Sequence, residues 1–196
     1  MNNGSILSLG QTIIKIWDSN KYNCIKTIDP GEGSGFMQCF IEINKNRIAV
    51  AGNYPQKLSF YDLETGLLDR EHSTIEIECV SDKCMYYDGN DKLLVGGKEK
   101  LILVDLSTYQ IVKNYEENAL IEGVGAISLC YLNCGIIMAG LRNGDLLLIN
   151  ATDFKEKSII RKCSDYGTYV TGIVDLKYKR IATVGNDCKL RFWKKN

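Results

Sequence analysis

The 196-residue chain is 45% hydrophobic and 24% charged, the composition of a globular domain with a sizeable core, which excludes a disordered or fibrous class. Lysine plus arginine balance aspartate plus glutamate at 24 each, so there is no electrostatic footprint for a nucleic-acid backbone or an anionic membrane surface. The opening MNNGSILSLGQ lacks a basic segment leading into a long apolar one, and no run of about 18 apolar residues occurs; secretion and membrane spanning are unsupported, and the expected setting is cytoplasmic or nuclear.

Along the chain, five segments share one pattern of strand, glycine, turn and strand. They read SILSLGQTIIKIWD from Ser5, RIAVAGNYPQKLSFYD from Arg47, KLLVGGKEKLILVD from Lys92, GIIMAGLRNGDLLLIN from Gly135 and RIATVGNDCKLRFWKK from Arg180. The first apolar run gives way to a tight connection at Gly10, Gly52, Gly97, Gly140 and Gly185, where glycine's access to positive φ is the expected reason for its use. A marker near the end of the second strand falls at Trp17, Tyr61, Val104, Ile149 and Trp193, with successive markers 43 to 45 residues apart. That period falls in the range of about 40 to 45 residues that a four-stranded propeller blade occupies.

These segments resemble the WD40-repeat family of β-propellers, over nearly the whole chain. Trp17-Asp18 matches the pair that gives the family its name, whereas Lys194 follows Trp193 in place of the acid. The middle units end in Tyr61-Asp62, Val104-Asp105 and Ile149-Asn150, and the family's Gly-His dipeptide is absent. The resemblance implies a buried hydrogen-bonded set of a turn aspartate, a strand serine or threonine, a histidine and the tryptophan. Asp187 and Trp193 sit at matching positions, and the set is complete in no unit. Trp17, Asp18, Asp187 and Trp193 are therefore expected to be structural, with stability resting mainly on apolar packing between blades, b-strand residues Leu94 and Ile136 included.

In the family each blade runs from inner to outer as strands a, b, c and d, which makes the shared pattern b, turn, c. Outer d strands are then expected in YNCIKTI, LLDREHS, YQIVKNY and KSIIRKC, and inner a strands in FMQCFIEI, part of IECVSDKCMYY, VGAISLCYL and YVTGIVDL. The expected fold is all-β: one WD40-type propeller segment over 1–196, about four and a half blades of four-stranded antiparallel sheet, in units at about 1–30, 35–74, 77–118, 123–163 and 167–196. The chain begins at strand b and ends at strand c, in KLRFWKKN. The resemblance implies that an upstream segment or another chain closes the ring.

The eight cysteines contain no C-x-x-C pair and His72 is the single histidine, so free, partly buried thiols are expected and no metal site. Gly31 to Gly35 resemble a phosphate-cradling loop, but a strand pattern follows where a helix would be needed, and no cofactor is implied.

Strands of such a fold are used up in packing, so function is expected in the loops. The b–c and d–a connections offer Tyr54, Gln56, Lys98, Arg142 and Tyr166 as partner-binding residues. The reading is a non-catalytic scaffold that binds partner proteins or peptides on its loop rim. Phosphoinositide-binding and ubiquitin-ligase members of the family are disfavoured: Leu141 to Gly144 lacks a second arginine, and Ser19 and Asn20 follow Trp17-Asp18 where an arginine is often found. Two alternatives are a small propeller hydrolase with channel carboxylates, for which Glu42, Glu78 and Asp175 are the nearest acids, and a segment without activity of its own.

Overall fold

The computed structural model describes residues 5–29, 36–52, 56–69, 74–77, 84–97, 100–115, 125–164, 168–176 and 179–194. The chain divides into two compact units, Met1–Ser81 with Ser107–Gln110, and Asp82–Leu106 with Ile111–Asn196.

The first unit holds two antiparallel sheets. One has three strands, β1 (Ser5–Leu9), β2 (Ile14–Asp18) and β3 (Cys24–Ile28). The other has four, β4 (Met37–Asn44), β5 (Arg47–Gly52), β6 (Lys57–Asp62) and β7 (Thr74–Glu76). Ile14, Ile16 and Ile28 pack with Ile48, Val50 and Tyr61 in their shared core.

The second unit holds three sheets in the same antiparallel order. The first is β8 (Cys84–Tyr87), β9 (Lys92–Gly96), β10 (Leu101–Asp105) and β11 (Gln110–Asn114). The next is β12 (Ala126–Leu132), β13 (Ile136–Leu141), β14 (Leu146–Asn150) and β15 (Glu156–Ile160). The third has three strands, β16 (Val170–Leu176), β17 (Arg180–Gly185) and β18 (Leu190–Lys194). Leu94, Leu103, Ile137, Leu147 and Ile149 share one core, and Met138, Val170 and Ile181 belong to another.

The burial pattern follows the strand's place in its sheet. In β5, β9 and β13 nearly every residue after the first is buried, because both faces are covered, and the sequence accordingly runs apolar without alternation. The outer strands β11 and β15 are mostly exposed and carry lysine, glutamine and glutamate. The b-to-c order of the end sheets, starting at β1 and stopping at β18, is as the repeat pattern predicts.

Three expectations are corrected. The outer strand of the second sheet is not LLDREHS: β7 begins at Thr74, and Leu68 contributes only an isolated bridge to Tyr61. Asp69 leaves the strand path to meet Arg47 at 2.7 Å. Ile136 is only half-buried at the start of β13, and its neighbour Ile137 takes the core position. The repeat glycines Gly140 and Gly185 do not use positive φ. Gly140 is needed because the next inner strand, β16, passes close by, whereas Gly185 is crowded by the residue just before the inner strand of its own sheet. A Cβ on Gly140 would lie 2.6 Å from the Val170 carbonyl oxygen, and one on Gly185 would lie 2.9 Å from that of Tyr169.

Candidate interaction surface

The tryptophans are built into their sheets. Trp193 Nε1 donates to Thr183 Oγ1 at 2.9 Å, and Trp17 Nε1 donates to Ser8 Oγ at 2.8 Å. In the sheet register Trp193 faces Ile181 and Trp17 faces Ile6, so the hydroxyl in each case stands two residues further along strand b. The sheets whose marker is Tyr61, Val104 or Ile149 carry Val50, Val95 or Ala139 at that place. An indole N–H requires an acceptor at that place, whereas the Val104 and Ile149 side chains do not and the Tyr61 hydroxyl bonds Ser59 instead. Sequence reading missed Ser8 and Thr183, although aligning the two tryptophan units alone would have shown them.

Asp18 and Asp187 also act locally. Asp18 Oδ1 accepts the amides of Asn20 and Lys21 at 2.8 and 3.0 Å, which caps the turn after β2. Asp62 does the same with Thr65, whose amide hydrogen bond foremost holds the carboxyl below its usual range. Asp187 accepts the Lys189 amide at 3.1 Å and a guanidinium N–H of Arg191 at 2.6 Å.

Of the loop residues singled out in the sequence, Tyr54, Lys98 and Tyr166 lie outside the described residues. Gln56 precedes β6 in the first unit, half-buried, and its carbonyl accepts the Ile77 amide at 3.1 Å. Arg142 opens the β13–β14 turn in the second unit. Gly144 takes φ 86° there, and Asn143 Oδ1 accepts the Asp145 amide at 3.0 Å, so the turn is held by its own side chains. The Arg142 guanidinium lies 4.3 Å over the Tyr169 ring and donates to its hydroxyl at 3.1 Å. Arginine and ring are each half-buried, a preorganised cationic and aromatic pair. Tyr169 was missed because the neighbouring Tyr166 is the tyrosine that falls in the loop. Among the acids weighed for a hydrolase, Asp175 accepts the Asn133 amide at 2.9 Å and Glu78 lies outside the described residues.

Neither a protein-family model nor a curated protein matches the chain. Solved structures do. The crystal structure of the WD40 β-propeller domain of Doa1 superimposes with a TM-score of 0.77 at 12% identity, over 98% of this chain and 61% of that one. The fold is that of a WD40 β-propeller. The crystal structure of the computationally designed Ika8 protein is also similar, with a TM-score of 0.66 and 14% identity, over 97% of this chain and 55% of that one. The chain therefore spans less than two thirds of either structure, and at these identities the likeness is one of fold.

Proposed function

We propose that the chain is a non-catalytic interaction scaffold of the WD40 type, working in the reducing interior of the cell and binding partner proteins or peptides on the rim of b–c and d–a loops. The observation that carries the reading is Arg142, fixed on Tyr169 and half-exposed at a b–c turn. Such a pair offers contact area and hydrogen bonding with little side-chain entropy left to lose. The proposal extends to how the ring is completed: strands from outside the described residues or from another chain cover the open sheet edges. Among the described residues two of the five sheets have three strands where the others have four, and Leu190 and Phe192 on β18 are 57% and 63% exposed.

The test is a tagged chain carrying Arg142→Glu, Tyr54→Ala and Tyr166→Ala, used as bait in its host cell. Partners recovered by the unaltered chain should be lost, while the thermal melt moves by only about 2 to 4 °C per kcal/mol of surface destabilisation. Recovery of the same partners with all three replaced would refute the placement.

A further inference from the structure

A cleft of about 940 Å³ opens in the second unit, at the end of the sheets away from Arg142. It is walled by Tyr86 and Tyr131 near the ends of β8 and β12, by Asp88 and Asp91 in the β8–β9 turn, and by Asp153 and Phe154 in the β14–β15 turn. The two tyrosine rings are parallel to within 12° with centroids 5.9 Å apart, and Tyr131 is 43% exposed. Burial, then Tyr131 and Asp88, push the Tyr86 phenol up, so it stays a neutral donor.

The repeat shows what the corresponding place holds in the first unit. There the first residue of strand b is Arg47, opposite Asp62; its guanidinium lies 5.0 Å over Phe60 and 5.1 Å over Tyr109, donates to the Tyr109 hydroxyl and meets Asp69 at 2.7 Å. In the second unit Lys92 stands opposite Asp105, Leu103 takes the place of Phe60, and Phe154, four residues after Asn150, takes that of Tyr109. The Lys92 ammonium turns instead to Asp91 and Asp105, at 2.9 and 3.0 Å. No guanidinium of the chain fills this cleft among the described residues. Its wall keeps three carboxylates against one lining ammonium, with Asp153 also 3.6 Å from the exposed Lys155 ammonium, together with the aromatic rings of Tyr86, Tyr87, Tyr131 and Phe154.

We infer that this cleft receives an arginine side chain of a basic partner peptide, in the role that Arg47 plays from within the first unit. A planar guanidinium fits both parts of the wall, stacking on a tyrosine face and bonding a carboxylate through two parallel N–H donors. Asp88 and Asp153 are the anionic contacts, and each uses Oδ1 to accept backbone amides, those of Asn90 and Lys92 for Asp88 and that of Lys155 for Asp153. The inference does not depend on the loop rim, since it concerns other turns.

The full chain, labelled with 15N, is titrated with the peptide Gly-Ser-Arg-Gly-Ser and with its citrulline and lysine counterparts. The arginine peptide should give saturable shifts at Tyr131 and Asp153, and the citrulline and lysine peptides should bind about tenfold more weakly. Tyr131→Ala and Asp153→Asn, both at exposed positions, should each weaken arginine binding several-fold without changing the rest of the spectrum. The double change Lys92→Arg with Leu103→Phe rebuilds the first unit's arrangement and should abolish binding by filling the cleft. Equal binding of citrulline or lysine, shifts that map elsewhere, or unaltered affinity in Tyr131→Ala would overturn the inference.

Discussion

Thr183→Val tests whether the tryptophan sheets depend on a hydroxyl partner. Thr183 is 2% exposed and accepts the Trp193 indole N–H at 2.9 Å. Valine keeps the shape and removes the acceptor, which leaves a donor on a half-buried ring without its bond. A buried unsatisfied donor costs about 1 to 3 kcal/mol, and the partial exposure of Trp193 places the loss in the lower half, about 1 to 2 kcal/mol. For a chain of this size that is a fall in Tm of about 2 to 8 °C, read by circular dichroism or by urea melts. The mechanism is isolated by adding Trp193→Phe. Trp193→Phe removes the donor itself, so the two changes should couple by about 1 kcal/mol instead of adding, and Trp17 remains as the fluorescent reporter. An unshifted melt in Thr183→Val, or additivity within about 0.3 kcal/mol, would refute the role assigned to the hydroxyl.

Two more outcomes follow from the geometry. Cys163 is 1% exposed, and burial first, then Asp145, push its thiol up to about 11. The folded state therefore holds its proton more tightly than the unfolded chain does, and stability present below the ordinary thiol range should be lost as pH rises toward 11. Urea melts across that range should show the decline, and Cys163→Ala should flatten its lower part. Tyr115, whose phenol burial and then Glu156 push further up, should keep the upper part; equal slopes with and without Cys163 would contradict this. The second outcome contrasts Tyr22 and Phe154, both with φ 54°. Tyr22→Gly should stabilise by about 1 kcal/mol because the ring is 77% exposed and only backbone strain is relieved, whereas Phe154→Gly should cost about 3 to 5 kcal/mol of core packing. Opposite signs in the melts are required.

The repeat was legible because strands covered on both faces must be written as apolar runs, and RIAVAG, KLLVG and IIMAGL recur with their markers. Edges were harder. An outer strand satisfies only one backbone side and packs little, so β7 could move to Thr74 without any change in apolar pattern. Gly140 was found for the wrong reason, since close approach of a strand from the next sheet is a property of the sheet stack and leaves no local signal. In the candidate site, Arg142 was legible as a turn residue. Tyr169, Tyr86 and Tyr131 were not, because they lie at strand ends and acquire a role only when two sheets come together.

The turns after strand c show how one local device serves both fold and surface. Asp18, Asp62, Asp105 and Asn150 are each followed four residues later by a left-handed residue, namely Tyr22, Gly66, Tyr109 and Phe154. The amide of that residue returns to the carbonyl four back at 2.9 Å for Tyr22, 2.8 Å for Gly66 and 2.9 Å for Phe154. Glycine would take this conformation without strain, so an aromatic ring there costs about 1 to 2 kcal/mol, which the exposed Tyr22 leaves standing and the other rings offset by what they touch. Phe154 does so in the core, where its carbonyl also accepts the Tyr115 hydroxyl at 2.7 Å. Tyr109 does so by stacking on Arg47. Gly66 leaves the space to Lys26, whose ammonium bonds the Leu63 carbonyl at 3.1 Å and that of Glu64. The same turn position thus holds a ring or leaves space for a cation, and at two of the positions with a ring, Tyr109 and Phe154, it is the first residue of the facing strand b, Arg47 or Lys92, that decides whether a guanidinium closes the place from within.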